Sequence, residues 1–285
     1  MHLLERYYDH DKNLHLISRG YGSKFSGPFA RYRSGVWDVQ GFFGDEIELC
    51  IDRFPQVEAS VGKRRALMVE EASRQNSKSI ILMDDALQYW RLEKDFKIIS
   101  VHGGLLFGNQ RIFPSGPMRE HPSNLQHANI IVIFNPIQSE NFYRDWIGQF
   151  VQNPVPIFFI RTRLDCLVDK EGKEYVHGSF EGISAVAACA IAHPEYFFRD
   201  LESNSMDLRD KYSFADHHQF TNSEEEMIIN AVKRVDADFL VLTEKDKPRW
   251  RSTNLPILFA RQSLQIANEE DFYLIIDEYV NKKRQ

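Results

Sequence analysis

Cysteine is scarce: the 285 residues contain three, Cys50, Cys166 and Cys189, none close to another. An odd, scattered set excludes a disulfide framework and offers no pair for a zinc ribbon, so a reducing, cytosolic setting is expected. Long apolar runs are missing too. The longest, such as residues 130–134, are strand-length and far short of the roughly 20 residues a membrane-spanning helix needs. The opening Met1-His2-Leu3-Leu4-Glu5-Arg6 brings in an acid early and has no apolar stretch behind it, so it reads as a helix already under way and not as a signal peptide. Nor is there an excess of basic charge. With 35 Lys and Arg against 41 Asp and Glu, mixed along the chain for a net of -6, nothing suggests a nucleic-acid partner. Internal repeats and low-complexity tracts are absent, and no segment is poor enough in apolar residues to stay unfolded.

What is present is a recurrence of short apolar runs, at 14–18, 79–83, 97–101, 129–134 and 155–160, separated by amphipathic stretches such as 63–75. That alternation predicts an α/β fold with a mainly parallel sheet flanked by helices. A second set of elements follows: a small-residue buried strand within 182–192, a helix from Pro194, a helix over 223–235 with Ser223 as N-cap and Glu226 completing a capping box, and buried strands at 239–243 and 256–260. Between the two sets, Asp169-Lys170-Glu171-Gly172-Lys173 makes a polar turn flanked by apolar pairs, the pattern of a two-stranded connector. The expected organisation is a larger α/β domain over 1–167, a linker over 168–180 and a smaller α/β domain over 181–285.

Several polar sets sit where strands end, the place at which ligands bind in open α/β sheets. Ile80-Ile81-Leu82-Met83-Asp84-Asp85 is an apolar strand ending in two acids. An acid there can hold Mg²⁺ beside nucleotide phosphates; a solvated strand end with a helix cap has the same sequence. Gly44-Asp45-Glu46 puts two acids beside a glycine, where Asp45 can act as a general base if a neighbour holds it, and a surface turn is the bland alternative. Asp216-His217-His218 supplies an imidazole able to orient a carboxylate or take its proton, or simply a polar loop ahead of a helix. Ser18-Arg19-Gly20-Tyr21-Gly22 delivers a basic side chain from a strand end. Residues 107–120 form a loop rich in Gly and Pro with Arg111 and Arg119, whose forks suit phosphate unless they pair with acids such as Glu120. Thr243-Glu244-Lys245-Asp246 ends a further strand and lines either a cleft or a helix start.

Taken in order, these sets resemble the lipid A 4'-kinase (tetraacyldisaccharide 4'-kinase) family along almost the whole chain. Ser18 to Gly22 is similar to its S-R-G-Y-G, Gly44-Asp45-Glu46 to G-D-E-P, Asp84-Asp85-Ala86-Leu87-Gln88 to D-D-G-x-Q-H, and residues 114–120 to P-A-G-P-L-R-E. Phe107-Gly108-Asn109, residues 194–198 against P-E-x-F-F, Asp216-His217-His218 and Thr243-Glu244-Lys245-Asp246 follow in register. The resemblance implies a fold like that of phosphate-loop kinases. It also implies transfer of a phosphoryl group from ATP, with Mg²⁺, to the 4'-hydroxyl of an acylated glucosamine disaccharide 1-phosphate, at the cytoplasmic face of the bacterial inner membrane, with no spanning segment in this chain. Carried over, Asp45 would be the base with His217, and Asp84 and Asp85 would serve the metal. Arg19, Glu46, Gln88, Asn109, Arg111, Arg119 and Glu120 would contact substrate or phosphate, with Asp216, His218, Thr243, Glu244 and Lys245 around the cleft.

The sequence also departs from that pattern. The family's G-G-T-G-K-T phosphate loop has no counterpart here, and Met1 to Asn13 is similar only to the helix that follows it. Loss of those backbone amides and that lysine should remove most nucleotide affinity. The expectation is a kinase chain read from an internal methionine, impaired as given; the alternative is a non-catalytic homologue that binds the lipid disaccharide or regulates its pathway. Smaller departures are Ile47 for Pro, Ala86 for Gly, Tyr89 for His, His102 for Asp and Ala190 for Gly. An alanine at such a position is costly where the backbone has positive φ.

Overall fold

A computed structural model of the chain describes residues 1–8, 13–176, 178–252 and 255–284. The chain runs α1 (His2–Tyr8), β1 (Leu14–Ser18), β2 (Lys24–Phe25), β3 (Phe29–Arg33), β4 (Val36–Trp37), β5 (Gly41–Phe42), α2 (Asp45–Arg53), β6 (Glu58–Gly62) and α3 (Arg65–Gln75). It continues through β7 (Ile80–Met83), β8 (Ile98–His102), β9 (Ile130–Phe134), α4 (Glu140–Gly148), β10 (Ile157–Val168) and β11 (Glu174–Val176). The last elements are β12 (Ser184–Cys189), α5 (Pro194–Ser203), β13 (Asp207–Ser213), α6 (Asn222–Arg234), β14 (Phe239–Thr243), a 3₁₀ turn (Glu244–Arg249), β15 (Ile257–Ile266) and α7 (Glu269–Arg284). Of the helix expected over 1–13, positions 9–12 lie outside the described residues. No described helix is long and apolar enough to cross a membrane.

Two compact units result, one from residues 1–68 and 163–263, the other from 69–162 and 264–285. In the first, β1 lies parallel to β6 with His15 opposite Glu58, while β3 runs antiparallel along the far side of β6 and β4 along β3. In the same unit β12 pairs in parallel with β13 and β14, and β14 with β15. The polar turn at 169–173 joins β10 and β11 as an antiparallel pair within this unit, closed by Asp169 Oδ1 accepting from the amides of Glu171 and Lys173.

The all-buried pattern of β12 has a simple cause: both of its faces are covered, so alternation disappears from the sequence. Ala185, Ala187 and Cys189 face Phe197 and Leu201 of α5, whereas Val186, Ala188 and Ala190 face Ile228, Ile229 and Val232 of α6. Small side chains in the strand let both helices approach. Helix α6 starts two residues earlier than expected. Its N-cap is Thr221, whose hydroxyl accepts from the Glu224 amide while the Glu224 carboxylate returns to the Thr221 amide. Both T-x-x-E and S-x-x-E are present in the sequence, and Thr221 takes the role because His218 also reaches Glu224, at 2.9 Å, and anchors the earlier frame.

In the second unit β8, β9 and the first residues of β10 are parallel, with Ile98 opposite Ile130 and Ile157 opposite Ile131. Helix α4, capped by Ser139, buries Tyr143 and Ile147 against this sheet. The Tyr143 hydroxyl donates to the Gly103 carbonyl at 3.0 Å and accepts from the Ile137 and Gln138 amides, fixing the loops at the carboxyl ends of β8 and β9.

Leu201 has no solvent exposure within the core against β12. Leu201→Ala is therefore expected to destabilise the protein by about 2–5 kcal/mol, the range for a cavity left by a buried leucine, measured by urea unfolding. A change under about 0.5 kcal/mol, as at an ordinary surface position, would contradict this packing.

Candidate active site

The loop leaving β1 and the start of α2 meet through two glycines. Gly20 has φ 66°, and a β-carbon there would lie 2.2 Å from Val61 Cγ1 and 3.0 Å from the Phe43 carbonyl oxygen. Gly44, the N-cap of α2, has φ 106°, and its β-carbon would come within 3.0 Å of the Tyr21 carbonyl oxygen. Only residues without side chains permit this approach. Its effect is to set Asp45 at the first position of α2, buried, where the helix N-terminus favours a carboxylate.

Against Asp45 comes His217, from the loop between β13 and α6. Its backbone is left-handed, φ 60°, and its amide donates to the Ala190 carbonyl at 3.3 Å. His217 Nδ1 lies 2.9 Å from Asp45 Oδ2. An ionised carboxylate only accepts, so with Asp45 in that form the bond is donated by Nδ1. The ring of Tyr21, itself exposed, packs on the imidazole with centroids 5.3 Å apart. Asp45 and His217 line one cavity together with Ser18, Gly20, Tyr21, Phe43, Gly44, Glu46 and Ile47. Asp45 Oδ1 is buried and takes no hydrogen bond from any described residue, a condition that costs roughly 1–3 kcal/mol unless a ligand or water relieves it.

Charge surrounds the pair. Lys245 lies 3.5 Å from Glu46 and 3.8 Å from Asp216, whose carboxylate is 3.7 Å from His217 Nε2. Arg249, fully buried, brings Nε to 3.4 Å from Asp45 Oδ2 and its terminal nitrogen to 2.9 Å from Asp246 Oδ1. Burial pushes the Asp246 carboxyl upward, opposed by the Thr243 hydroxyl, the Arg249 charge and the Ala190 amide. Arg249 is not among the residues the sequence singles out, and Asp246 stands there only within Thr243-Glu244-Lys245-Asp246. Nothing in Lys245-Asp246-Lys247-Pro248-Arg249 separates a buried arginine from solvated neighbours.

The structure sorts the remaining residues. His218 turns away from His217: it stacks on Phe214 and bonds Glu224 at the cap of α6. Thr243 donates to Asp246 at 2.5 Å, and Glu244 is held by Arg53 at 2.9 Å and Arg261 at 2.8 Å. In the other unit Asp84 and Asp85 follow β7, both exposed, and Arg119 bonds both oxygens of Asp85 at 3.1 Å and Gln88 at 3.4 Å. Asn109 shapes its own loop, donating to the Ser115 carbonyl and accepting from the Arg111 amide. Glu120 accepts from Asn124, and Arg19 and Arg111 are exposed. Neither Ala86 nor Ala190 has positive φ, so alanine is unstrained at both positions.

Two adjacent carboxylates at a strand end suit Mg²⁺, which takes one or two carboxylates and completes its shell with phosphate oxygens and water. Asp84 and Asp85, both exposed after β7, are donors of that type. Among the described residues no group of three or more His, Cys, Asp or Glu side chains is placed to hold a metal without such help.

The family description Tetraacyldisaccharide-1-P 4'-kinase matches residues 1–281. The chain belongs to this family. It is 30% identical over 253 residues to the tetraacyldisaccharide 4'-kinase of Halothermothrix orenii, covering 82% of this chain and 65% of that protein. To the protein of the same name from Syntrophobacter fumaroxidans it is also 30% identical, covering 86% and 66%. The chain therefore spans just under two thirds of the length of these relatives. Its fold matches the crystal structure of the "apo" form of LpxK from Aquifex aeolicus in complex with ATP, with TM-score 0.72 and 19% identity over 98% of this chain and 82% of that one. Family membership accounts for the order of the motifs from Ser18 to Asp246, and the mixed, mainly parallel architecture agrees with that fold.

The Glu224 carboxyl is pulled from its ordinary 4.5 down to about 2, chiefly by His218 and then by Thr221. A depressed folded value means the stabilisation is complete above the unfolded value and disappears as pH falls through the folded one. The urea midpoint of Glu224→Gln should accordingly lie below that of the parent at pH 6, and the gap should close between about pH 4.5 and 2. A gap that persists unchanged at the acid end would show that the carboxylate charge is not what anchors α6.

Proposed function

We propose that this chain carries the catalytic carboxylate of a kinase that moves the γ-phosphoryl group of ATP to the 4'-hydroxyl of an acylated glucosamine disaccharide 1-phosphate, a step of lipid A synthesis. The observation that supports this most directly is the bond between Asp45 and His217, residues 172 apart in sequence and 2.9 Å apart in space. Phosphoryl transfer asks little covalent chemistry of a protein beyond positioning and charge. In this reading Asp45 accepts the proton of the 4'-hydroxyl as that oxygen bonds the γ-phosphorus; the bond from phosphorus to the bridging oxygen breaks and ADP departs. His217, donating to Oδ2, holds the carboxylate in place.

Asp84 and Asp85 would hold Mg²⁺, which neutralises phosphate charge. The Asp85–Arg119 pair, with both side chains more than half exposed, is worth little and opens readily, so both groups are available to a nucleotide and its metal. Arg19 and Arg111 are further phosphate contacts, and Glu46, Gln88, Asn109 and Glu120 shape the surroundings. The acylated substrate implies work at a membrane surface, in this reading the cytoplasmic face of the inner membrane, with the protein peripheral to it.

The sequence contains no Gly-rich Lys-Ser/Thr phosphate loop, so these residues alone should bind nucleotide weakly. That observation favours one second reading, a homologue that binds the lipid disaccharide without turning over ATP. The two separate in an assay of lipid disaccharide phosphorylation by this chain and by a form extended with the upstream in-frame coding sequence. The kinase reading expects little turnover by the first and full turnover by the second, with kcat falling about 10²- to 10⁴-fold on Asp45→Ala, the usual contribution of a general base. Unchanged turnover in Asp45→Ala would remove the assigned base, and strong turnover by the short chain would refute the account of phosphate binding.

A further inference from the structure

The proposed base rests on a side chain to which no role has been given. Arg249, in the 3₁₀ turn after β14, has no solvent exposure and spends its guanidinium on several chain segments at once. One terminal nitrogen donates to the carbonyls of Ala190, at 3.2 Å, and His218, at 3.1 Å. The other donates to the Lys245 carbonyl at 3.1 Å and pairs with Asp246. Its Nε stands 3.4 Å from Asp45 Oδ2, near enough for charge pairing but not aligned as a hydrogen bond. The Ala190 carbonyl that it binds also accepts from the His217 amide. One guanidinium therefore touches the carboxylate of the dyad and both ends of the support under its imidazole.

We infer that Arg249 is a positioning residue for the Asp45–His217 dyad, holding carboxylate and imidazole in register through a single buried fork. The inference rests on the reading of Asp45 as the base but makes a structural claim of its own. Several features argue that the geometry serves the dyad and is not incidental. A guanidinium that only balanced Asp246 would need no second carboxylate, and with Asp45 the site holds two acids against one arginine. Burying a charge is costly, and a buried ion pair is often replaceable by apolar groups without loss of stability. The fork shape matters as well: a lysine in this place would supply the charge but not donors spread across separate carbonyls.

The variants needed are Arg249→Met, the double variant Arg249→Met/Asp246→Asn, and Asp45→Asn, alone and combined with the double variant, each made in the form extended with the upstream in-frame coding sequence, for which the kinase reading expects turnover. Arg249→Met strands Asp246 without its counter-charge and should lower Tm. The double variant removes both charges and should recover most of that loss. The readouts are the imidazole Nδ1–H resonance of His217, assigned by its disappearance in His217→Gln, and kcat and KM for disaccharide phosphorylation. Positioning predicts that the double variant, though stable, loses the His217 resonance to solvent exchange. It also predicts a kcat lower by on the order of tenfold to a hundredfold, the effect of small misplacement, with both KM values little changed. In the Asp45→Asn background the double variant should cost nothing further in kcat, because both changes act through one group.

A stable double variant with the parent's His217 resonance and kcat would overturn the inference, and so would losses that multiply with Asp45→Asn. If Asp45→Asn by itself leaves kcat near the parent value, the base reading fails, while the His217 resonance still decides whether Arg249 holds the pair.

Discussion

A guanidinium that reaches no solvent must find its partners inside the protein, and the partners Arg249 finds organise the surrounding unit. Its contacts bring together the end of β12 at Ala190, the loop bearing His217 and His218, the turn after β14 and the N-terminus of α2. Removing one partner from such a buried cluster typically costs about 3–5 kcal/mol, because the charge left behind has no compensation. The same turn meets α2 along a seam of opposite charges, with Lys245 against Glu46, Lys247 against Asp52 and Glu244 against Arg53. The two lysine pairs are partly exposed and individually weak, whereas Glu244 and Arg53 are largely buried, and together these opposed charges set the register in which α2 docks and hence where Asp45 comes to rest.

The glycines complete the placement. Without Gly20 and Gly44 the loop after β1 would be pushed away from α2 by side-chain atoms, and the wall of the cavity that contains Tyr21 would move with it. Adjacent histidines then divide their labour through backbone geometry. The left-handed turn at His217 sends one ring to Asp45, while the next faces Phe214 and the α6 cap. One side chain serves chemistry in this reading, and its neighbour fixes the helix that follows.

Much of the architecture was legible beforehand because it depends on local pattern. Apolar runs of strand length between amphipathic stretches correspond to β1, β7, β8, β9 and β10 within a residue or two at their starts, and the small-residue run at β12 reads as buried because it is covered on both faces. The start of α6 was harder. Thr221 and Ser223 both begin a capping-box pattern, and a contact from His218 settles the choice. The order of the polar motifs pointed to the family, although each motif alone was ambiguous.

By itself, the sequence determined the alternation of strands and helices, the absence of a spanning helix among these residues and the set of acids, histidines and arginines from which a site could be built. Only the tertiary structure decided that Asp45 bonds His217, that His218 does not, and that Arg249 is buried between two carboxylates. The reason is one of range. Hydrophobic periodicity and turn chemistry act over a few residues and leave their mark in composition, whereas a hydrogen bond spanning 172 positions depends on how separate strands and loops come together, and no local pattern records it.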